Sequence, residues 1–326
     1  MRSRVLVFAL LVVVCLAGAG AAIVSATSAG GTQSGAAART VLRDARADGR
    51  SLALYRLLDR DGTIAAAPAG NAAGERTLLP LACDRVHFSG GRGLCLARGE
   101  GFAAGYRAKV FGPDLRVQGE VDVAGVPSRA RVSPDGRHGS VTLFVSGHSY
   151  AEAGEFSTET TLIDLERGEK IANLEELSVT HDGRLVTAID VNFWGVTFPR
   201  DGDRFYATMA TGGRTYLVEG SISRLTARVI HENVECPSLS PDGTRVAYKR
   251  RTGSKGRLWR LTVLDLATMS ETPLAELRSI DDQAEWLDDD RVLYGADGDV
   301  WMAPADGGGR PQRYIANAAS PAAVRW

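Results

Sequence analysis

The chain has 326 residues, with 38 basic side chains against 39 acidic ones and a formal net charge of −1. No basic block disturbs that balance, so the electrostatic footprint that a phosphate backbone selects is missing and no nucleic-acid partner is expected. Length alone is compatible with two average domains or with one all-β repeat unit, so internal repetition must decide.

Met1-Arg2-Ser3-Arg4 precedes an uncharged apolar stretch from Val5 to Val24 and then a run rich in Ser, Gly, Ala and Thr up to Ala38. This is the pattern of an export segment. Twenty apolar residues suffice to span a bilayer, while Val24-Ser25-Ala26 also suits a signal peptidase, so 1–24 reads as either a cleaved signal peptide or a signal-anchor helix. Cys15 follows Val14 and not the small residue that lipidation requires. Arg2 and Arg4 hold the N-terminus in the cytoplasm, which makes the remainder extracytoplasmic, either membrane-anchored through this segment or secreted. Residues 25–48 read as a flexible linker, and Thr40 to Arg50, across its end, reads as a short helix or simply as linker.

From residue 49 onward strand signals dominate. A first strand, Leu52 to Leu57, is followed by Ile64 to Pro68, but no inner strand precedes the pair. Further along, Arg131-Val132-Ser133-Pro134-Asp135-Gly136-Arg137 is echoed by Ser238-Leu239-Ser240-Pro241-Asp242-Gly243-Thr244-Arg245. Proline presets φ, aspartate bonds nearby amides and glycine takes the left-handed conformation, so each copy predicts a strand, a tight turn and a returning strand. Looser copies are Phe198 to Tyr206 and Trp286 to Tyr294, with a degenerate one at Phe88 to Leu94. Equivalent turn positions fall at 89, 135, 201, 242 and 288, in steps of 46, 66, 41 and 46 residues. Such steps suit four-stranded blades of ~40–50 residues, the long step carrying an insertion. Ser178 to Val186 lies inside it and reads as an elaborated outer strand or loop. Ser320 to Trp326 starts like an inner strand and then stops, as if the C-terminus completes the first blade, which removes the open sheet edges. The expected class is therefore all-β: a six-bladed β-propeller over 49–326, with its first blade closed by the C-terminal strand.

The two Ser-Pro-Asp-Gly turns, together with the units closing at Asp164-Leu165 and Asp265-Leu266, resemble the TolB-like β-propeller repeat over roughly residues 50 to 326. That resemblance implies a six-bladed envelope or secreted propeller, as in TolB itself, a noncatalytic periplasmic component of an envelope complex. Related repeats also form the propeller of some serine peptidases. The chain departs from TolB in having only Thr40 to Arg50 before its first strand, where TolB has a separate α/β domain. The expected role is thus a noncatalytic binding or scaffold module whose partner is an envelope or secreted protein. The alternatives are a secreted hydrolase or a small-ligand sensor.

Among chemical candidates, Gly147-His148-Ser149-Tyr150-Ala151 resembles a nucleophile elbow except at its last position, but the polar residues after it do not read as the helix an elbow requires. His181 and His231 are the downstream candidate bases, and neither has a recognisable acid partner in sequence. The acidic runs Asp281-Asp282-Gln283-Ala284-Glu285 and Asp288-Asp289-Asp290 lack the spacing of a calcium loop, and no metal or cofactor is expected. Binding is instead assigned to residues just upstream of each inner strand, where propeller loops converge on the channel mouth: Arg129, Asn192, Trp194, Glu235, Asp281, Asp282 and Gln283. Trp194 reads either as an anchor there or as filler between blades. Cys83 and Cys95 form a candidate disulfide, opposed if their hairpin turns about Ser89 and not opposed if it turns about Gly91.

Overall fold

Short apolar runs separated by Ser, Pro, Asp and Gly turns become a ring of six sheets in a computed structural model that describes residues 38–72, 74–99, 105–145, 157–253 and 258–326. The first blade holds β1 (Leu52–Leu57), β2 (Thr63–Pro68) and β3 (Thr77–Ala82). The second runs through β4 (Arg85–Ser89), β5 (Arg92–Arg98), β6 (Tyr106–Phe111) and β7 (Val117–Val123). The third comprises β8 (Val126–Val132), β9 (His138–Val145), β10 (Ser157–Asp164) and β11 (Glu169–Asn173). An excursion follows, β12 (Ser178–His181) and β13 (Arg184–Leu185), before the fourth blade of β14 (Asn192–Thr197), β15 (Arg204–Thr211), β16 (Arg214–Ser221) and β17 (Thr226–Glu232). The fifth has β18 (Glu235–Leu239), β19 (Arg245–Thr252), β20 (Leu258–Asp265) and β21 (Glu271–Pro273). The sixth has β22 (Glu285–Trp286), β23 (Arg291–Ala296), β24 (Asp299–Pro304) and β25 (Gln312–Ile315), after which β26 (Ala318–Ala323) pairs antiparallel with β1.

That last pairing closes the ring as the sequence predicts, with Leu54 opposite Ala322 and the Val324 amide bonded to the Leu52 carbonyl at 2.8 Å. The insertion is the outer-strand elaboration expected: β12 adds parallel to β17, and β13 pairs with β12 at the rim. Middle strands such as β5 and β15 are buried nearly throughout, whereas outermost strands such as β3 and β7 are largely exposed. This gradient follows from stacking sheets face to face around an axis: the centre is covered on both faces and the rim is not. Apolar clusters accordingly sit between blades, such as Leu94, Val110, Val141 and Ile163 between the second and third.

Residues 38–47 are helical, so the flexible linker read over 25–48 does not extend through them. Ala38, Leu42 and Ala45, at helical spacing, are buried against Leu52, Phe88, Phe111 and Val324, and that apolar face docks the segment. Gly49, at φ 63°, ends the helix in the left-handed region and lets the Arg50 amide reach the Ala45 carbonyl at 2.8 Å. The segment 1–24 lies outside the described residues, and among those described no helix is long and apolar enough to cross a membrane.

Candidate functional site

The inner strands β26, β4, β8, β14, β18 and β22 follow one another around the axis and enclose a channel. They run in the same sense, as the parallel bridge between Ser89 and Arg325 records. The channel therefore has an upper mouth where the inner strands begin and a lower mouth where they end in the repeated turns.

At the lower mouth the turn motif shows why its residues recur. Ser133 Oγ donates to Asp135 Oδ1 at 2.6 Å and accepts the His138 amide at 2.9 Å, while Asp135 Oδ1 accepts the Arg137 amide at 3.0 Å. The second copy repeats the pattern: Ser240 Oγ donates to Asp242 and accepts the Arg245 amide at 3.0 Å, and Asp242 accepts the Thr244 amide at 3.0 Å. Neighbouring turns are also tied to each other. Asp289 accepts the Asp242 amide at 2.9 Å, Arg200 donates to the Pro241 carbonyl at 3.3 Å and Arg92 donates to the Gly136 carbonyl at 3.1 Å. Gly90, at φ 56°, packs so closely on the neighbouring turn that a Cβ there would lie 2.2 Å from the Gly136 nitrogen, so no other residue fits.

This frame surrounds a cavity of about 260 Å³. Its walls include Val132, Pro134, Phe198, Leu239 and Pro241, and its floor is charged. Glu285, 2% exposed, accepts hydrogen bonds from Arg131, from Arg325 at 2.8 Å and from the Ala323 amide at 3.2 Å. Burial by itself would raise the Glu285 carboxyl, but Arg131 and then Arg325 outweigh it and hold it well below the usual range. His87 lies beside this group, its Nδ1 accepting the Val132 amide at 3.2 Å and its Nε2 lying 3.7 Å from the Glu285 carboxylate. Its Nε2 also lies 3.1 Å from Arg131 Nη1, so the ring meets the guanidinium as well as the carboxylate. Burial is the main cause that lowers the imidazole to about 4, so it is neutral at pH 7.

The upper mouth is different. Arg129, Asp282 and Gln283 do meet there, but they tie to one another and to backbone, leaving a cavity of about 30 Å³. Arg129 donates to the Ser128 carbonyl at 2.8 Å and lies 3.9 Å from Asp282, and Gln283 donates to the Pro237 carbonyl at 2.8 Å. Glu235 and Asp281 flank the buried ammonium of Lys249, with Glu235 at 3.7 Å, and Glu235 also takes Arg251. Asn192 lies farther out, accepting the Thr158 amide at 2.8 Å between the third and fourth blades. Trp194 is buried in β14 and lines neither cavity. Arg129, Asp282 and Gln283 thus line a small space at the upper mouth, while Asn192, Trp194, Glu235 and Asp281 do not; among the described residues the larger space is at the other end, lined by turn residues and by side chains that the sequence does not single out.

Other expectations fall out variously. Ser149 and its flanking residues lie outside the described residues. His231, read as lacking an acid partner, donates from Nε2 to the Glu271 carboxylate at 3.0 Å, a pairing across the outer strands β17 and β21 that sequence distance hides. Glu271 also accepts from Tyr248 at 2.7 Å, and the group lies away from both cavities. Asp288 accepts the Asp290 amide at 3.0 Å and holds Arg291, as a turn residue does. Among the described residues no cluster of three His, Cys, Asp or Glu side chains is placed to hold a metal. Cys83 and Cys95 are joined, with Cα atoms 5.5 Å apart. Ser89 pairs with Arg92, so the turn lies at Gly90-Gly91 and Cys95 faces Val86: the two cysteines are not opposed in the ladder, yet the bridge forms. Cys83 reaches Cys95 because it stands at the corner between β3 and β4, where the ladder has ended.

No protein-family pattern and no curated protein sequence matches the chain. Solved structures do. TolB from Acinetobacter baumannii superposes with a TM-score of 0.57 at 15% identity, over 85% of this chain and 67% of that one. The fold is TolB-like. A protein assigned as TolB from Agrobacterium tumefaciens gives 0.50 at 14% identity, over 82% of this chain and 88% of the other. A chain of a nidogen–laminin complex gives 0.56 at 9% identity, over 84% and 98%. The TolB-like ring therefore also superposes on a propeller of unrelated name, and at these identities the likeness concerns architecture.

Proposed function

We propose that this chain is a noncatalytic binding or scaffold module held outside the cytoplasm at the cell envelope, engaging an envelope or secreted protein through its lower face. The observation that carries the reading is the contrast in volume between mouths: among the described residues the lower cavity measures about 260 Å³ and is framed by cross-braced turns, while the space at the upper mouth is about 30 Å³. Rigid, pre-formed concavities bind without the entropic cost of ordering their walls. The carboxylates of the frame, Asp135 and Asp242, are committed to turn amides, which leaves arginine and proline surfaces to make contacts. The export-type N-terminus and the Cys83–Cys95 disulfide support an oxidising, extracytoplasmic location, and the TolB-like architecture agrees with a binding role.

A photo-crosslinking residue at Thr244, exposed on the lower rim, and another at Arg60, exposed on an upper loop, test this in the native cells. Adducts with an envelope or secreted protein from 244 but not from 60 are expected. Adducts from 60 alone, or from neither, overturn the reading. Turnover of fluorogenic esters that Ser149→Ala abolishes would establish the hydrolase alternative in its place.

A further inference from the structure

The floor of the lower cavity carries an imbalance of charge. Arg131 and Arg325 converge on one carboxylate, Glu285, and His87 beside them is neutral at pH 7, so two guanidiniums share a single counter-ion. Both ends of this arrangement are withdrawn from water: Arg131 is 8% exposed and Glu285 2%. Arg131 Nη2 finds Ser238 Oγ at 3.3 Å and the Ala284 carbonyl at 3.2 Å, but its Nε is buried with no hydrogen-bond partner. The other acids of the cavity do not redress the imbalance. Asp201 is paired with Arg204 and Asp242 with Arg245 at 3.7 Å, and each also accepts from its own turn. Arg200, exposed on the rim, donates only to a carbonyl among its described contacts. Buried charges without compensation are unfavourable, and a ligand that supplies the missing charge relieves that penalty.

We infer that this cavity is an anion site that takes the carboxylate of an acidic side chain presented by a protein partner. One surplus positive charge matches a monoanion, whereas a phosphate dianion would overshoot it. The walls add a second constraint, since Val132, Pro134, Phe198, Leu239 and Pro241 offer apolar surface to the stem and flanking backbone of a peptide. At about 260 Å³ the space falls just below the ~300–1,000 Å³ typical of sites that enclose whole small molecules, which suits one side chain with its neighbours. The guanidinium is also the side chain best shaped to bind carboxylate through paired donors. This inference rests on the lower face being the binding face.

The test uses the full chain in detergent and ligand-observed saturation-transfer NMR with three probes: acetyl-Gly-Glu-Gly-amide, its Gln counterpart, and free glutarate. The Glu peptide is expected to bind at least about tenfold more tightly than the Gln peptide, the discrimination that charge-assisted hydrogen bonds supply. Arg325→Gln, which leaves Glu285 and Arg131 balanced, is expected to remove the preference. Because Arg325 also braces the floor, Arg200→Gln is the second variant: its exposed side chain holds no strand, and the Glu-peptide affinity is expected to fall about two- to fivefold. Equal binding of the Glu and Gln peptides, or a preference that survives both arginine changes, overturns the inference. Glutarate binding as tightly as the Glu peptide overturns the peptide assignment in favour of a free small carboxylate. Crosslinks from position 244 that persist without any Glu preference sink the anion site and leave the binding face standing.

Discussion

Replacing Glu285 by Gln keeps the size of the side chain and removes the one charge that Arg131 and Arg325 share. The amide places an N–H₂ where a guanidinium already donates, and both arginines lose their counter-ion inside the ring. Breaking a buried ion pair from one side costs about 3–5 kcal/mol, because the surviving charge stays desolvated. For a ring of this size each kcal/mol moves Tm by roughly 2 °C, so a fall of about 6–10 °C is expected at pH 7.5. The pH dependence has a definite sign. A carboxyl held below its unfolded value of 4.5 contributes stability that is present above that value and lost as pH falls beneath it. The Gln variant has no such group, so the gap between the two proteins narrows below pH 4.5. Because Glu285 also raises the His87 imidazole, both proteins are compared in a His87→Gln background, which removes that titration from the difference. Scanning calorimetry of the two proteins at several pH values from 7.5 to 3.5 reads both quantities. A Tm change under about 2 °C at pH 7.5, far less than an orphaned buried charge demands, would refute the reasoning.

Three further outcomes follow from the same structure. His87 is held neutral by burial at about 4 against 6.5 when unfolded, so stability present above pH 6.5 is lost as pH falls through about 4, by roughly 3 kcal/mol in full. His87→Gln, which can still accept the Val132 amide, is expected to flatten that acid limb in urea titrations at pH 7 and 4.5. Opening the Cys83–Cys95 bridge, which spans a separation of 12 residues, is expected to cost about 3 kcal/mol by chain-entropy reasoning, measured as the urea midpoint of the double Cys→Ala variant. Leu42→Ala empties a buried site beneath the N-terminal helix and is expected to cost about 2–4 kcal/mol, with hydrogen exchange of 38–47 accelerating before the blades.

The architecture was legible because it rests on local chemistry repeated along the chain. Ser-Pro-Asp-Gly states a turn within six residues, and the Ser133 and Ser240 hydroxyls act within that span. The spacing of the turns counts the blades, and the unmatched halves at Leu52 and Ser320 require each other. The elaboration at Ser178 was visible for the same reason, as one more hairpin between turns too far apart. The N-terminal helix was ambiguous since Ala38, Leu42 and Ala45 make only a three-residue stripe, which becomes a reason to fold once Phe88 and Val324 cover it.

The candidate residues were placed at the upper mouth by a topological argument. Loops preceding inner strands do converge, but whether a mouth is open depends on how side chains from different blades fill it. Gln283 reaches the carbonyl of Pro237, 46 positions away, and Arg131 meets Glu285 across 154. No window of sequence contains either pair. Read singly, Arg131 is a strand residue before a turn, Glu285 belongs to an acidic run and Arg325 is next to the last residue of the chain. What the sequence by itself determined is therefore the repeat and its turns, set by residues within hydrogen-bonding reach along the chain, and the closure of the ring, set by two unmatched half-blades at opposite ends of the chain that complete each other. Only the tertiary structure decided how the described side chains fill each mouth and where two arginines share one carboxylate, because those follow from the ring's curvature, which brings the inner strands of six blades to a common axis.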